Sequence, residues 1–197
     1  MEKLNLGFLC SHSGSNMQAI IDNVKCGKLN ANLCVAISNN LSSGALEKAK
    51  KENIPNYHIS EKTHSQNAEL EIINVLKKHN VDTVILAGYM KKISQELINH
   101  FNNRVLNIHP ALLPKFGGQG MYGMNVHKAV IEAKETFSGA TIHLVNSNYD
   151  EGKILAQMQV PVFPEDTPEV LAARILEIEH QLYSDTLIKI SKGEIII

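Results

Sequence analysis

The chain has 197 residues, is 44% hydrophobic and 20% charged, and balances 19 basic against 20 acidic side chains for a net charge of −1. That length and composition fit one globular domain that needs no staples, and the balanced charge excludes the broad basic field of a generic nucleic-acid or membrane-surface binder. Cys10, Cys26 and Cys34 are odd in number and form no CxxC, and no apolar leader or membrane-length run occurs, so a disulfide scaffold, a structural zinc and a membrane span are not expected and a cytoplasmic setting is.

Short apolar runs alternate with segments of helical period. LGFLC at 6–10 reads as a buried strand, and 16–25 carries Met17, Ile20, Ile21 and Val24 at helical spacing. A strand over 33–37, a helix over 43–52 and a short strand over 56–59 follow. The run 68–79 reads as a helix ending on Lys77 and Lys78, where basic side chains suit the dipole. DTVILA at 82–87 is the next strand, 94–101 a short helix capped by Ser94, and RVLNI at 104–108 a fifth strand.

Strands that are continuous apolar runs alternating with helices predict a mostly parallel, Rossmann-like α/β sheet with helices on both faces. In such sheets ligands bind beyond the carboxyl ends of the strands. The pattern then changes. Residues 110–125 hold two prolines and four glycines and read as a loop, and 126–133 as a helix. ATIHLV at 140–145 and ILAQMQV at 154–160 read as a strand pair around the turn Tyr149-Asp150-Glu151-Gly152, an antiparallel addition to the sheet. Thr167-Pro168 opens a long helix toward Ile190, and 193–197 reads as a final strand.

Three places carry candidate chemistry. The first βα turn, Ser11-His12-Ser13-Gly14-Ser15-Asn16, offers small residues and a helix N-terminus to a phosphate, although it is neither a Walker A loop nor a GxGxxG fingerprint. Asn107 and His109 end the fifth strand two residues apart, so they face one side. An amide donor beside an imidazole suits an acyl oxygen that becomes negative during addition. Asp150 by itself reads as a turn former, and near His109 its charge would raise the imidazole pKa and keep the ring protonated. His143, within ATIHLV, reads as a strand residue pointing away from the core. Glu179-His180 lacks the further ligands a metal needs, and no HExxH or GxSxG occurs, so no metal is expected.

Taken together, SGSNMQAI at 13–20, ILAGYM at 85–90, NIHPALLPKF at 107–116, DEGKIL at 150–155 and EHQLY at 179–183 resemble the folate-dependent phosphoribosylglycinamide formyltransferases of purine synthesis nearly end to end. The resemblance implies a formyltransferase of one-carbon metabolism with 10-formyltetrahydrofolate as co-substrate and phosphoribosylglycinamide as acceptor. It implies Asn107, His109 and Asp150 as the catalytic trio, with His109 acting as imidazolium. Ser13, Gly14, Ser15 and Asn16 would hold the ribonucleotide phosphate and Glu179 the glycinamide end. Met90, Lys91, Lys92 and Ile93 would line the folate pocket with Asn107, Asn146, Ser147, Asn148, Tyr149 and Asp150. It further implies one domain over 1–197, a phosphate-binding half to residue 109 and a folate-binding half after it, acting on small molecules as a monomer or homodimer. The chain departs from the family pattern at His12, where many members have glycine, at the long glycine-rich segment 117–123, and in having only Lys62 to offer the folate tail.

Competing expectations are a formyltransferase with another acceptor, a formyltetrahydrofolate hydrolase, and a non-catalytic nucleotide-binding module. The net charge of −1 argues against a tRNA acceptor, and a binding module has no need of Asn107, His109 and Asp150.

Overall fold

The computed structural model describes residues 3–197. The first half alternates strand and helix: β1 (Leu4–Cys10), α1 (Ser15–Lys25), β2 (Ala31–Ser38), α2 (Gly44–Lys51), β3 (Asn56–His58), α3 (Glu61–His64), α4 (Ala68–Lys78), β4 (Thr83–Leu86), α5 (Gln95–His100) and β5 (Val105–His109). The second half holds α6 (Met124–Glu132), β6 (Phe137–Leu144), β7 (Ile154–Pro161) and α7 (Pro168–Ser191). The strands form one seven-stranded sheet in the order β3-β2-β1-β4-β5-β6-β7. The pairs from β3 through β5 are parallel, and β6 and β7 run antiparallel.

Alternation along the strands explains the two-faced core. Leu6, Phe8 and Cys10 join a cluster with Met17, Ile20 and Ile21 of α1, Val130 of α6, and Leu171, Ile175 and Leu187 of α7. Leu9 and Val84 point the other way, into a cluster with Ile72, Ile73 and Leu76 of α4 and Leu97 and Ile98 of α5. Burial on both faces is what makes these strands read as unbroken apolar runs. Tyr183 of α7 is fully buried at the sheet, and its hydroxyl donates to the Leu106 carbonyl at 2.9 Å, with the Leu86 carbonyl at 3.3 Å. The caps at Ser43, Ser94 and Thr167 each accept a backbone N–H of the first turn of α2, α5 and α7.

The expected elements are all present except the last. Residues 193–197 form no strand: Glu194 N–H and Ile195 N–H both turn back to the Lys189 carbonyl, which closes the end of α7 instead of adding to the sheet. The strand β6 starts at Phe137, earlier than its apolar run, because polar Ser138 is buried against the sheet. Among the described residues no helix is long and apolar enough to cross a membrane.

The chain leaves β1 toward β2 and β3, then returns to the other side of β1 as β4. The reversal opens a crevice at the carboxyl ends of β1 and β4, where loops of α/β sheets gather ligands. Tyr183→Phe would remove this buried hydroxyl bond to the Leu106 carbonyl. It is expected to lower unfolding free energy by about 1–2 kcal/mol in urea, with an unchanged denaturant slope.

Candidate active site

Asn107 and His109 lie on β5, in direct register with His143 and Thr141 of antiparallel β6. That register places a second imidazole beside Asn107. His143 is 2% exposed, so the outward position expected for it is wrong. The expectation failed because β6 is an interior strand between β5 and β7, and both its faces are covered. Asn107 Nδ2 donates to His143 Nε2 at 3.1 Å, and His143 Nδ1 donates to the Leu144 carbonyl at 2.9 Å. A carbonyl can only accept, so the His143 proton sits on Nδ1 and Nε2 receives the amide hydrogen.

Asp150 completes the cluster from the loop after β6. Its Oδ2 lies 3.4 Å from His109 Nδ1 and its Oδ1 lies 3.4 Å from His143 Nε2. Its Oδ2 also accepts the Gly118 N–H at 3.0 Å. Asp150 has a positive φ of 58°, which aims the carboxylate back toward the sheet. Two residues on, Gly152 passes so close to β6 that a Cβ there would overlap the Leu144 carbonyl, so this turn admits only glycine. His109 Nε2 donates to the Phe116 carbonyl at 2.8 Å, leaving Nδ1, toward Asp150, as the nitrogen that takes a proton.

The electrostatics follow from burial and charge. Burial is the largest influence on His109 and lowers its pKa; Asp150 and the Phe116 carbonyl pull it back up without cancelling the loss, and His143 lowers it further. At 3% exposure desolvation opposes the expected imidazolium in the ligand-free chain, and the carboxylate favours it. Burial alone would raise the Asp150 carboxyl. Proximity to His143 and to His109, with the Gly118 N–H, holds it below the ordinary carboxylate value. The cluster is a fixed anion between two imidazoles, with an open proton-accepting nitrogen on one of them. It can take up a proton, hold the resulting cation, and present the second Asn107 amide hydrogen to a developing negative oxygen.

The first βα turn lies across the crevice. Gly14 caps α1 with φ 69°, and a Cβ there would come within 2.8 Å of Ala45, so the tight turn is built around glycine. No side chain caps α1, which leaves first-turn N–H groups facing the crevice beside Ser13 and Ser15. His12, the departure in this loop, has no left-handed φ and an exposed side chain, and so does not distort the turn. Asn16 Nδ2 donates to Glu179 Oε2 at 2.9 Å in a buried contact between α1 and α7. The Asn16 Oδ1 has no partner.

The loop of Met90, Lys91, Lys92 and Ile93 follows β4, and Asn146, Ser147, Asn148 and Tyr149 follow β6. The two loops face each other: the Lys92 ammonium lies 5.5 Å from the Tyr149 ring centroid, and a cavity of about 350 Å³ is lined by Lys92, Ile93, Ser94 and Ser147. A cavity of about 430 Å³ is lined by Asp150, Tyr149, Gly117, Gly118 and Leu113. A cleft of about 640 Å³ contains none of the polar cluster and opens beside Asn39, Tyr89 and Lys91. Because chemistry needs the buried donors, Asp150 and not cleft size marks the centre. Lys62 is exposed on α3 and does not line that cleft. Among the described residues no group of His, Cys, Asp or Glu is arranged to hold a metal ion.

The fold is a mostly parallel α/β sheet with a carboxylate–imidazole cluster at the strand ends. The formyl transferase model matches residues 4–187, and the chain belongs to that family. It is 38% identical over 180 residues to the phosphoribosylglycinamide formyltransferase of Haemophilus influenzae, covering 90% of this chain and 82% of that protein. It is 44% identical over 185 residues to the chloroplastic phosphoribosylglycinamide formyltransferase of Arabidopsis thaliana, covering 92% of this chain; the chain spans 63% of that relative's length. Glycinamide ribonucleotide transformylase 1 from Symbiobacterium toebii superposes with a TM-score of 0.92 at 33% identity, over 99% of this chain and 91% of that one.

Glu179 provides a pH signature. Burial raises its carboxyl from 4.5 to about 7, against the lowering effect of the Asn16 bond. Folding therefore holds a proton that the unfolded chain releases, a contribution whole below about pH 4.5 and lost as pH rises through about 7. Glu179→Gln, which keeps an acceptor for Asn16, is expected to gain about 1–3 kcal/mol over the parent between pH 5 and pH 8 in parallel urea titrations. A pH-independent difference would contradict the buried protonation.

Proposed function

We propose that the protein transfers the formyl group of 10-formyltetrahydrofolate to the glycinamide amine of 5-phosphoribosylglycinamide, a step of purine biosynthesis. The observation that carries this reading is the Asp150 carboxylate held 3.4 Å from each of two buried imidazoles, with Asn107 fixed by one of them. An amine is already a competent nucleophile, so the protein has only to position it, stabilise charge and move a proton. The names of the Haemophilus influenzae and Arabidopsis thaliana relatives support the choice of acceptor.

In this mechanism the glycinamide nitrogen attacks the formyl carbon and the carbonyl electron pair moves onto oxygen. The Asn107 amide faces that oxygen. The attacking amine's proton passes to His109 Nδ1, directly or through water, and Asp150 stabilises the imidazolium so formed. The bond from the formyl carbon to the folate nitrogen then breaks with its electron pair on nitrogen, which receives the proton. One C–N bond forms and one breaks, with no redox change. The depressed pKa of His109 makes it a ready donor for the return step, since the charged ring is the less favoured form in its buried setting.

Ser13, Gly14, Ser15 and Asn16 at the α1 N-terminus take the ribonucleotide phosphate, and Glu179 the glycinamide end. The pterin lies between Met90, Lys91, Lys92 and Ile93 on one side and Asn146, Ser147, Asn148 and Tyr149 on the other. The unit that acts is the single domain over 1–197, with the phosphate-binding half to residue 109 and the folate-binding half beyond. It works on small molecules as a monomer or homodimer, and its free cysteines suit a reducing cytoplasmic setting.

Incubation with 10-formyltetrahydrofolate is expected to consume the formyl group only when phosphoribosylglycinamide is present. Acceptor-independent loss would indicate a hydrolase, and no loss a binding module. His109→Ala is expected to lower kcat by roughly 10²–10⁴-fold with ribonucleotide binding kept, measured by steady-state kinetics and calorimetric titration. His143→Ala, which frees the Asn107 amide without removing it, is expected to lower kcat by roughly tenfold or more.

A further inference from the structure

Ser11 directly follows β1, is 5% exposed, and takes no part in the proton relay. Its groups join three strand ends at the crevice. The Ser11 hydroxyl donates to Asn39 Oδ1 at 2.7 Å, beyond β2, and accepts the Met90 N–H at 2.9 Å, beyond β4. Its own N–H donates to the Gly88 carbonyl at 3.1 Å, and its carbonyl receives Asn40 Nδ2 at 3.4 Å. The residue thus leads directly into the loop of His12 to Asn16 while its side chain holds the first residue of the loop Met90 to Ile93. Two of these contacts are backbone bonds any residue would keep. The Met90 contact depends on the hydroxyl alone.

We infer that Ser11 is a positioning residue that sets the carrier-binding loop after β4 against the acceptor-binding loop after β1, and so fixes the separation of the two substrates. This rests on the proposed formyl transfer. Holding one oxygen both as donor to Asn39 and as acceptor from Met90 fixes the hydroxyl rotamer, so neither loop can shift without breaking a half-buried bond. The chemistry requires it: an amine on one loop must meet a formyl carbon on the other at near-bonding distance, and a misplacement of about 1 Å is enough to cost a large factor in rate. The location fits, since this is the point where the sheet order reverses and the two loops diverge.

The test compares the parent, Ser11→Ala and Ser11→Thr with both substrates varied. Ser11→Ala loses the only side-chain partner of the Met90 N–H. It is expected to raise KM for 10-formyltetrahydrofolate and lower kcat, each by roughly tenfold, with KM for phosphoribosylglycinamide changed by less than about threefold. Ser11→Thr, which keeps the hydroxyl, is expected to restore most of both. A purely structural serine would lower the melting temperature without this split between the substrates. If Ser11→Ala does not fold, Asn39→Ala, which removes the acceptor that orients the hydroxyl, is expected to move the same parameters in the same direction by a smaller factor. Parent-like kinetics in Ser11→Ala, or equal shifts in both KM values, would overturn the positioning role while leaving the formyl-transfer reading intact. Absence of transfer by the parent would overturn both.

Discussion

A carboxylate placed between two buried imidazoles constrains much of this molecule. Asp150 reaches both rings only because β6 runs antiparallel beside β5 and sets His143 opposite Asn107. The chain must then turn hard enough at Gly152 to bring the carboxylate back over the sheet, which no side chain at that position allows. The Gly118 N–H from the glycine-rich loop donates to the same carboxylate. An anion this enclosed would be costly if any of these partners were missing, so the second half of the fold is organised around keeping it satisfied.

The same arrangement decides which proton moves. Desolvation opposes a charge on His109 and the carboxylate favours one, and the nitrogen left free is the one facing Asp150. A ring that is neutral before reaction and cationic only while a proton is in transit serves both as acceptor and as donor within one turnover. His143 acts differently: its Nδ1 is committed to a backbone carbonyl, and its Nε2 orients the Asn107 amide. Across the crevice Ser11 ties the loops after β1 and β4, so the proton relay and the two binding loops share one rigid frame at the carboxyl edge of the sheet.

Much of this was legible in the sequence, for physical reasons that can be named. LGFLC and DTVILA read as strands because both faces are covered, and the helices read from their 3.6-residue period because each buries one stripe. Asn107 and His109 stood out as polar residues ending an apolar strand. His143 did not, because the register that makes it a neighbour of Asn107 is a long-range property. The polar alternation of Thr141 and His143 within an otherwise apolar strand was the available signal. Thr141, fully buried, binds the Ala111 carbonyl and the Leu113 N–H, so both residues of that stripe face the site. Asp150 was visible only through resemblance, since a turn aspartate carries no local mark of the rings it will meet. The burial that opposes a charge on His109 was not legible, because sequence reveals a nearby charge more readily than the depth of burial. The tail at 193–197 was misread because three isoleucines in a row resemble a strand, whereas the helix end captures the backbone donors before them.

The most direct measurement is single-turnover formyl transfer by Asp150→Asn, with 10-formyltetrahydrofolate and phosphoribosylglycinamide both bound and their affinities measured separately. If the carboxylate holds the transient imidazolium, the transfer step falls by roughly 10²–10⁴-fold while both substrates bind within about threefold of the parent. Transfer at the parent's rate with Asp150→Asn would contradict the assignment of this cluster as the formyl-transfer centre.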